Sequence, residues 1–342
     1  MTMKRKAALS ITCLAALLFG SACSSSEQLV FVNYGGESMT AAKQGWIEPF
    51  SKETGVKFAT DSPSDPAKVK AMVEAGATTW DIVDLDVGTG AKGCGTLFEK
   101  RSSEIDMSAI DPKYVTDDCG VPVMVQSMAL VYNPEKFGDD PPTKITDFLD
   151  TQKYPGKRIT LNYPLQGLEG LLLADGVNPE SLYPLDLDRA AAVVKRLGKN
   201  LSLLPTVAGQ AEGLESGDYA MCWCMMGRAA ISEERGAKLG IVWHHAFSGW
   251  DALYAVKGSK FPEAQQKFLN FVATPKAQSD FTEVIPFGPT TPASKPKLTG
   301  RRSNFLAQYN EQAIGTPALM DPKWWKENSD KAFAAWTAMT SG

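Results

Sequence analysis

Between residues 29 and 86 the chain alternates short apolar runs with longer amphipathic ones, and this alternation restricts the fold more than any other feature. Leu29-Val30-Phe31-Val32-Asn33-Tyr34 is a β-type run that ends at Gly35-Gly36-Glu37. A helix is predicted next, starting near Ser38 or Thr40, with Trp46, Ile47 and Phe50 on its apolar face and a close at Lys52-Glu53-Thr54-Gly55. Val56-Lys57-Phe58-Ala59 opens a second strand, and Asp65-Pro66 starts a second helix with proline in its first turn. That helix ends by Gly76, and Trp80-Asp81-Ile82-Val83-Asp84-Leu85-Asp86 reads as a third strand. Strands and helices in this order, with links this short, build an α/β lobe around a largely parallel sheet.

With 342 residues, 44% hydrophobic and 22% charged, the chain is long enough for two such lobes. Residues 120–133 form a strand-like segment longer than most strands, as a crossover between lobes would require. Strands are predicted again at 157–161, 220–225 and 239–244. Helices are predicted at 167–176, 186–200 with Asp186 or Asp188 as cap, 210–216, a segment ending at Gly236, 262–273 and 275–284. The tail carries shorter helical patterns at 324–328 and 332–339. After residue 243 the pattern is a strand end, a turn at Ser248-Gly249, and a second β-type run from Ala252.

The first residues read as an address and not as fold. Lys4-Arg5-Lys6, an apolar run over 7–19 and Gly20-Ser21-Ala22-Cys23 make a secretory signal over residues 1–22, too short for a membrane span. Cys23, followed by Ser24-Ser25-Ser26, fits lipid attachment with a tether over 23–28, although Gly20 stands where such sites usually carry Leu. Ordinary cleavage after Ala22 is the alternative. Either outcome exports the protein, as a lipoprotein on the outer face of the cytoplasmic membrane or into the periplasm. Loss of residues 1–22 removes three basic and no acidic side chains and leaves 32 basic against 39 acidic, a net charge of −7. Such a surface, without basic runs, excludes nucleic acid as partner.

Export also places the cysteines in an oxidising compartment. Cys94 and Cys119 are expected to join, closing a 26-residue loop. Cys222 and Cys224 lie two apart on one strand face, a poor disposition for a disulfide, and are expected as buried thiols. A lone C-x-C supplies too few ligands for a metal.

Two places suggest a site. Trp250-Asp251 at a strand mouth offers an aromatic wall and an anionic acceptor, a pair suited to a small cation; the alternative is a half-buried aromatic beside a solvated acid. The Gly35-Gly36 turn lacks the G-x-G-x-x-G or G-K-[ST] continuation of a phosphate loop. It still marks the carboxyl end of a strand, where α/β lobes bind ligands, so Tyr34 and Glu37 are candidates. Catalytic patterns are missing: His244-His245 belongs to no H-E-x-x-H or triad-like arrangement, and there is no G-x-S-x-G. Asp84 and Asp86 share a strand face, which is the most that a glycosidase reading can draw on. The expectation is a binding protein with no catalytic residues.

Ten short motifs, in order, carry a resemblance to a known family. They are Asn33-Tyr34-Gly35-Gly36-Glu37; residues 49–56 from Pro49-Phe50 to Gly55-Val56; Trp80-Asp81-Ile82-Val83-Asp84-Leu85; Gly120-Val121-Pro122 with Val131-Tyr132-Asn133; Phe148 with Tyr154-Pro155-Gly156-Lys157-Arg158; Ala174-Asp175-Gly176; Tyr183-Pro184-Leu185-Asp186; Gly217-Asp218-Tyr219-Ala220-Met221 with Trp223 and Gly227-Arg228; Pro275-Lys276-Ala277-Gln278; and Gly288-Pro289-Thr290. Together they resemble bacterial extracellular solute-binding proteins of the spermidine/putrescine kind, the capture subunits of ABC importers, from about residue 29 to the end.

The resemblance implies a two-lobed periplasmic-binding-protein (type II) fold, each lobe a mostly parallel sheet flanked by helices, joined by two hinge strands with the ligand between. Lobe 1 is then 27–127 plus 252–297, and lobe 2 is 128–251 plus 298–342. Ligand contacts are then expected at Tyr34, Glu37, Asp86, Ser127, Gln166, Trp223, Arg228, Trp250 and Asp251; Tyr34 and Trp223 match cleft aromatics of the family, whereas Trp250 sits beside, not on, the family's aromatic there. Asp251 matches the family's ammonium-binding aspartate. The family's second-lobe acid falls on Gln166 or Glu169, and Gly88 stands where an aromatic would line the cleft. The solute is accordingly a polyamine or other amine-containing cation, or, through Arg228 as a bidentate clamp, an amino acid or other carboxylate. No cofactor or metal is implied, and the protein is expected to act as a monomer with an ABC importer as partner.

Overall fold

A computed structural model describes residues 28–341, so the export signal and Cys23 lie outside the described residues. The strands are β1 Gln28–Val32, β2 Lys57–Asp61, β3 Ile82–Asp86, β4 Val121–Tyr132, β5 Arg158–Leu161, β6 Leu201–Leu204, β7 Met221–Met225, β8 Gly240–Ala255 and β9 Ala318–Leu319. Eight of them lie in the order β2-β1-β3-β8-β4-β7-β5-β6, and β9 adds to β8. β1 pairs in parallel with β2 and β3, and β5 with β6 and β7, so each flank of the sheet is parallel. Between the flanks run the antiparallel strands β4 and β8, of 12 and 16 residues.

This central pair belongs to both halves. The C-terminal part of β8 pairs with β3, from Asp251 opposite Asp86 to Ala255 opposite Ile82, while residues 128–132 of β4 pair with β7. After β8 the chain returns to the first half. The helix Pro275–Val284 packs on residues 43–47, where Trp46 stacks on Phe281 at 4.2 Å and donates to the Ala277 carbonyl at 3.0 Å. The result is the two-lobed α/β architecture.

Three expectations need correction. Ser248-Gly249 is not a turn, because β8 runs unbroken through it. The irregularity falls earlier, at His245 with φ 53°, where the pairing with β4 shifts register between Met128 and Leu130. The two short helical patterns of the tail form one helix, Pro322–Thr340. It covers a helix that the sequence did not reveal, Val87–Gly93, and a Cβ added at Gly88 would lie 2.6 Å from the Trp325 Cβ. The Trp325 side chain thus crowds the position where the resemblance would place a cleft aromatic.

The third correction concerns sulfur. Cys94 and Cys119 are joined as expected, with Cα atoms 5.6 Å apart. Cys222 and Cys224 are joined as well, and both are fully buried. A regular strand holds residues i and i+2 about 6.6 Å apart. In β7 the Cα atoms of Cys222 and Cys224 are only 5.2 Å apart, within disulfide range.

The long loop closed by Cys94–Cys119 should make it the more stabilising bridge. Replacing both residues by serine is expected to lower the unfolding free energy by about 3.5 kcal/mol through loop-closure entropy. Urea titrations of the variant and the wild type measure this, and a difference under 1 kcal/mol would contradict it.

Candidate functional site

The parallel strands of both halves point their carboxyl ends at one cavity of about 300 Å³. Tyr34 and Ser38 come from the turn after β1, Pro63 from the loop after β2, and Asp86 from the end of β3. Leu161 to Gln166 follow β5, Leu204 to Val207 follow β6, and Met225 and Arg228 follow β7. The floor is the central pair, through Gln126 of β4 and Asp251 of β8. Convergence of strand ends is where α/β sheets place ligands, since side chains there leave the ladder and the helix N-termini begin. Tyr34, Pro63, Asp86 and Tyr163 also line a neighbouring chamber of about 980 Å³.

Three carboxyl groups lie together beneath this cavity. Asp84 and Asp86 are two apart on β3 and share its face, and Asp251 is the cross-strand partner of Asp86 on β8. Their exposures are 0%, 5% and 3%. Asp86 Oδ1 caps the helix Val87–Gly93 through the Thr89 N–H at 2.9 Å. Its Oδ2, and both oxygens of Asp84, have no hydrogen-bond partner among the described residues.

Burial, then the charges of Asp84 and Asp86, drives the Asp251 acid far above the usual carboxylate range. Burial and then Asp86 do the same to Asp84. Asp86 is raised by burial, against the hydrogen bonds from Thr89 and Gly88. The Tyr34 phenol is pushed up by burial and then by Asp251. The cluster is short of positive charge.

Arg228 is the cationic counterpart, 2% exposed, on the opposite wall. Its Nη atoms donate to Glu37, to the Gly35 carbonyl at 3.2 Å and to Ser38 Oγ at 3.0 Å. Its buried Nε has no partner among the described residues. A polar relay fixes the floor: the Trp223 indole donates to the Gln166 carbonyl at 2.8 Å, Gln166 Nε2 to Gln126 Oε1 at 3.3 Å, and Gln126 Nε2 to Asp251 Oδ2. Gln166 has a φ of 70°, a conformation that costs a non-glycine residue about 1–3 kcal/mol and is held by this relay. The site can therefore engage a donor-rich cation at one end and an acceptor at the other.

Of the residues singled out from the sequence, Tyr34, Asp86, Gln166, Arg228 and Asp251 line the cavity. Trp250 does not: adjacent residues of a strand face opposite ways, and its indole donates to the Tyr114 carbonyl at 3.0 Å on the far face. Trp223 lies behind Gln166, Ser127 pairs with Ser248 across the central strands at 3.0 Å, and Glu37 stands behind Arg228. The aromatic residues on the cavity are Tyr34, Tyr163 and Phe287 instead. Sequence reasoning missed Gln126 and Tyr163; Gln126 follows from alternation along β4, while Tyr163 gave no signal.

Glu169 is fully buried away from the cavity, accepting from Tyr183 at 2.6 Å and Trp325 at 2.8 Å, and burial raises it to about 7. Cys94, Cys119 and Asp117 cluster closely enough to hold a metal, but both sulfurs are in the disulfide. His245 bonds the Thr316 carbonyl at 3.0 Å, away from the cavity. No helix among the described residues is long and apolar enough to cross a membrane.

Residues 45–311 match the family described as bacterial extracellular solute-binding protein. The chain is 30% identical over 333 residues to the gamma-aminobutyric acid-binding protein of Pseudomonas aeruginosa PAO1, covering 92% of each. It is 22% identical over 324 residues to the putrescine-binding periplasmic protein of P. aeruginosa UCBPP-PA14, covering 86% of this chain and 88% of that one. Among solved structures, the Atu4243 GABA receptor superposes with a TM-score of 0.83 at 31% identity, over 92% of this chain and 97% of the other.

A buried acid with a raised pKa binds more protons in the folded than in the unfolded state. Its contribution to stability therefore falls as pH rises from about 4, the unfolded value, through the raised folded value. Asp84→Asn removes one such acid. The variant's urea midpoint is expected to exceed that of the ligand-free wild type at pH 8, by a margin that shrinks toward pH 5. A margin independent of pH would mean that Asp84 is ionised throughout.

Proposed function

We propose a solute on the premise that this chain belongs to the bacterial extracellular solute-binding proteins: a small zwitterion carrying separated ammonium and carboxylate groups, of the γ-aminobutyrate type. Proteins of this family capture solutes outside the cell for ABC importers, and that is the activity of this chain. The observation that carries the ligand is the pairing, on one cavity, of an acid cluster with an unengaged Asp86 oxygen and an arginine with an unengaged Nε. The ammonium group goes to Asp251 and Asp86, with Tyr34 and Tyr163 offering ring faces, and the carboxylate to Arg228 Nε. Two relatives at 30% and 31% identity bear γ-aminobutyrate in their names, which supports the same class of solute.

A linear diamine is the second reading. It is favoured by the ion pair that already holds Arg228 to Glu37, which leaves the carboxyl cluster as the dominant charge. In either case the two lobes, 27–127 plus 252–297 and 128–251 plus 298–342, close over the solute about β4 and β8. Cys23 anchors the exported monomer by a lipid, within reach of its importer.

Calorimetry with γ-aminobutyrate and with putrescine tests the proposal on three proteins. Asp251→Asn is expected to weaken γ-aminobutyrate binding 30- to 1,000-fold, about 2–4 kcal/mol, because it removes the ammonium's counter-charge. Arg228→Ala is expected to cost 10- to 100-fold, about 1.5–3 kcal/mol, the range for a hydrogen bond to a charged group. Putrescine binding that tightens in Arg228→Ala would select the diamine. Affinities changed by less than threefold in both variants would place the site elsewhere.

A further inference from the structure

Glu37 and Arg228 come from opposite sides of the central strand pair. Glu37 opens the helix that follows β1, and Arg228 lies on the helix Met226–Glu234 that follows β7. We infer that Glu37 and the Gly35-Gly36 turn form a receptor for the Arg228 guanidinium that latches the two lobes over the solute. Arg228 reaches Glu37 Oε2, the Gly35 carbonyl and Ser38 Oγ, so its whole Nη face is satisfied by the other lobe. Arg235, at the end of the same helix, adds a bond of 2.7 Å to the second Glu37 oxygen. Glu215 steadies Arg235 at 3.3 Å from within its own lobe.

The turn is shaped for this contact. Gly36 has a φ of 59°, and a Cβ there would stand 3.2 Å from Arg228 Nη1. Any other residue would be strained and would press on the guanidinium. Although burial pushes its acid up, Glu37 is held below the usual range by its own backbone N–H, the Arg235 hydrogen bond and the charges of Arg228 and Arg235. These contacts therefore favour the charged carboxylate that the latch requires.

Arg228 then has two roles on one planar group: its Nη atoms hold the opposite lobe, and its Nε, buried without a partner among the described residues, is the donor left for the solute. A solute group accepting from Nε fixes the plane of the guanidinium and so aims its Nη atoms at Glu37. Solute binding and lobe closure are coupled through this one side chain, which gives closure a cause beyond the bare presence of ligand. Glu37 is on this account a positioning residue and makes no ligand contact.

The release arm of the test rests on the γ-aminobutyrate reading. Stopped-flow tryptophan fluorescence should show γ-aminobutyrate leaving Glu37→Gln about 10-fold faster, with association no slower than wild type, because the latch also closes a fraction of the ligand-free protein and so delays entry. Arg235→Ala, a half-exposed residue whose loss leaves the fold intact, should speed release about threefold. Unchanged release in both variants overturns the latch, and so does a loss confined to the association rate. If wild type does not bind γ-aminobutyrate at all, the solute reading fails by itself. The latch is then read from small-angle scattering of the ligand-free proteins, where Glu37→Gln is expected to have the larger radius of gyration and an equal radius overturns it.

Discussion

The pairing of β4 with β8 is the constraint on which the rest of the molecule depends. Each strand is long enough to belong to two sheets, and each half of the fold is completed only by borrowing part of both. Because β4 and β8 run antiparallel through the centre, the parallel flanks β2-β1-β3 and β7-β5-β6 end facing one another. The cavity is a consequence of that geometry and needs no dedicated insertion. Ordered backbone at the floor also costs nothing extra there, since the N–H and C=O groups of Gln126 and Asp251 lie in strands.

The acid cluster imposes the next condition. Three carboxyl groups at or below 5% exposure cannot all be ionised without a compensating cation, since moving one charge out of water costs several kcal/mol even after relaxation. Burial accordingly raises all three acids and favours their protonated forms more than water would. On the proposed reading, arrival of the solute's ammonium group would exchange those protons for a fixed charge. Part of the affinity for such a cation would then be stored in the ligand-free state as an unfavourable arrangement that the solute relieves.

Much of the fold was legible in the sequence because periodicity and punctuation are local. The unusual length of residues 120–133 announced β4, and Asp65-Pro66 announced its helix through capping chemistry that acts within four residues. The short helix Val87–Gly93, carrying three glycines, has no such signature and owes its existence to Asp86 as cap and Trp325 as cover. The site was legible by residue type and less so by orientation. Asp251 and Arg228 are on the cavity, whereas Trp250, Trp223 and Glu37 needed strand phase and tertiary contacts to be placed. Cys222–Cys224 departs from expectation because the spacing of an ideal strand exceeds the 5.2 Å found between these Cα atoms.

The positive φ of His245 has a consequence for how this cavity can change over time. β8 is a single strand whose residues alternate in facing, and the irregularity at His245 sets the phase for everything after it. Whether the floor presents a carboxylate or an indole is therefore a matter of parity, odd or even, counted from that kink. A one-residue insertion between His245 and Trp250 would leave the composition of the strand nearly intact yet exchange its two faces. The cavity would gain an aromatic floor, and the opposite core would receive an acid it has no means to solvate. Point substitutions can retune the solute continuously, but length changes in this short interval are all-or-none.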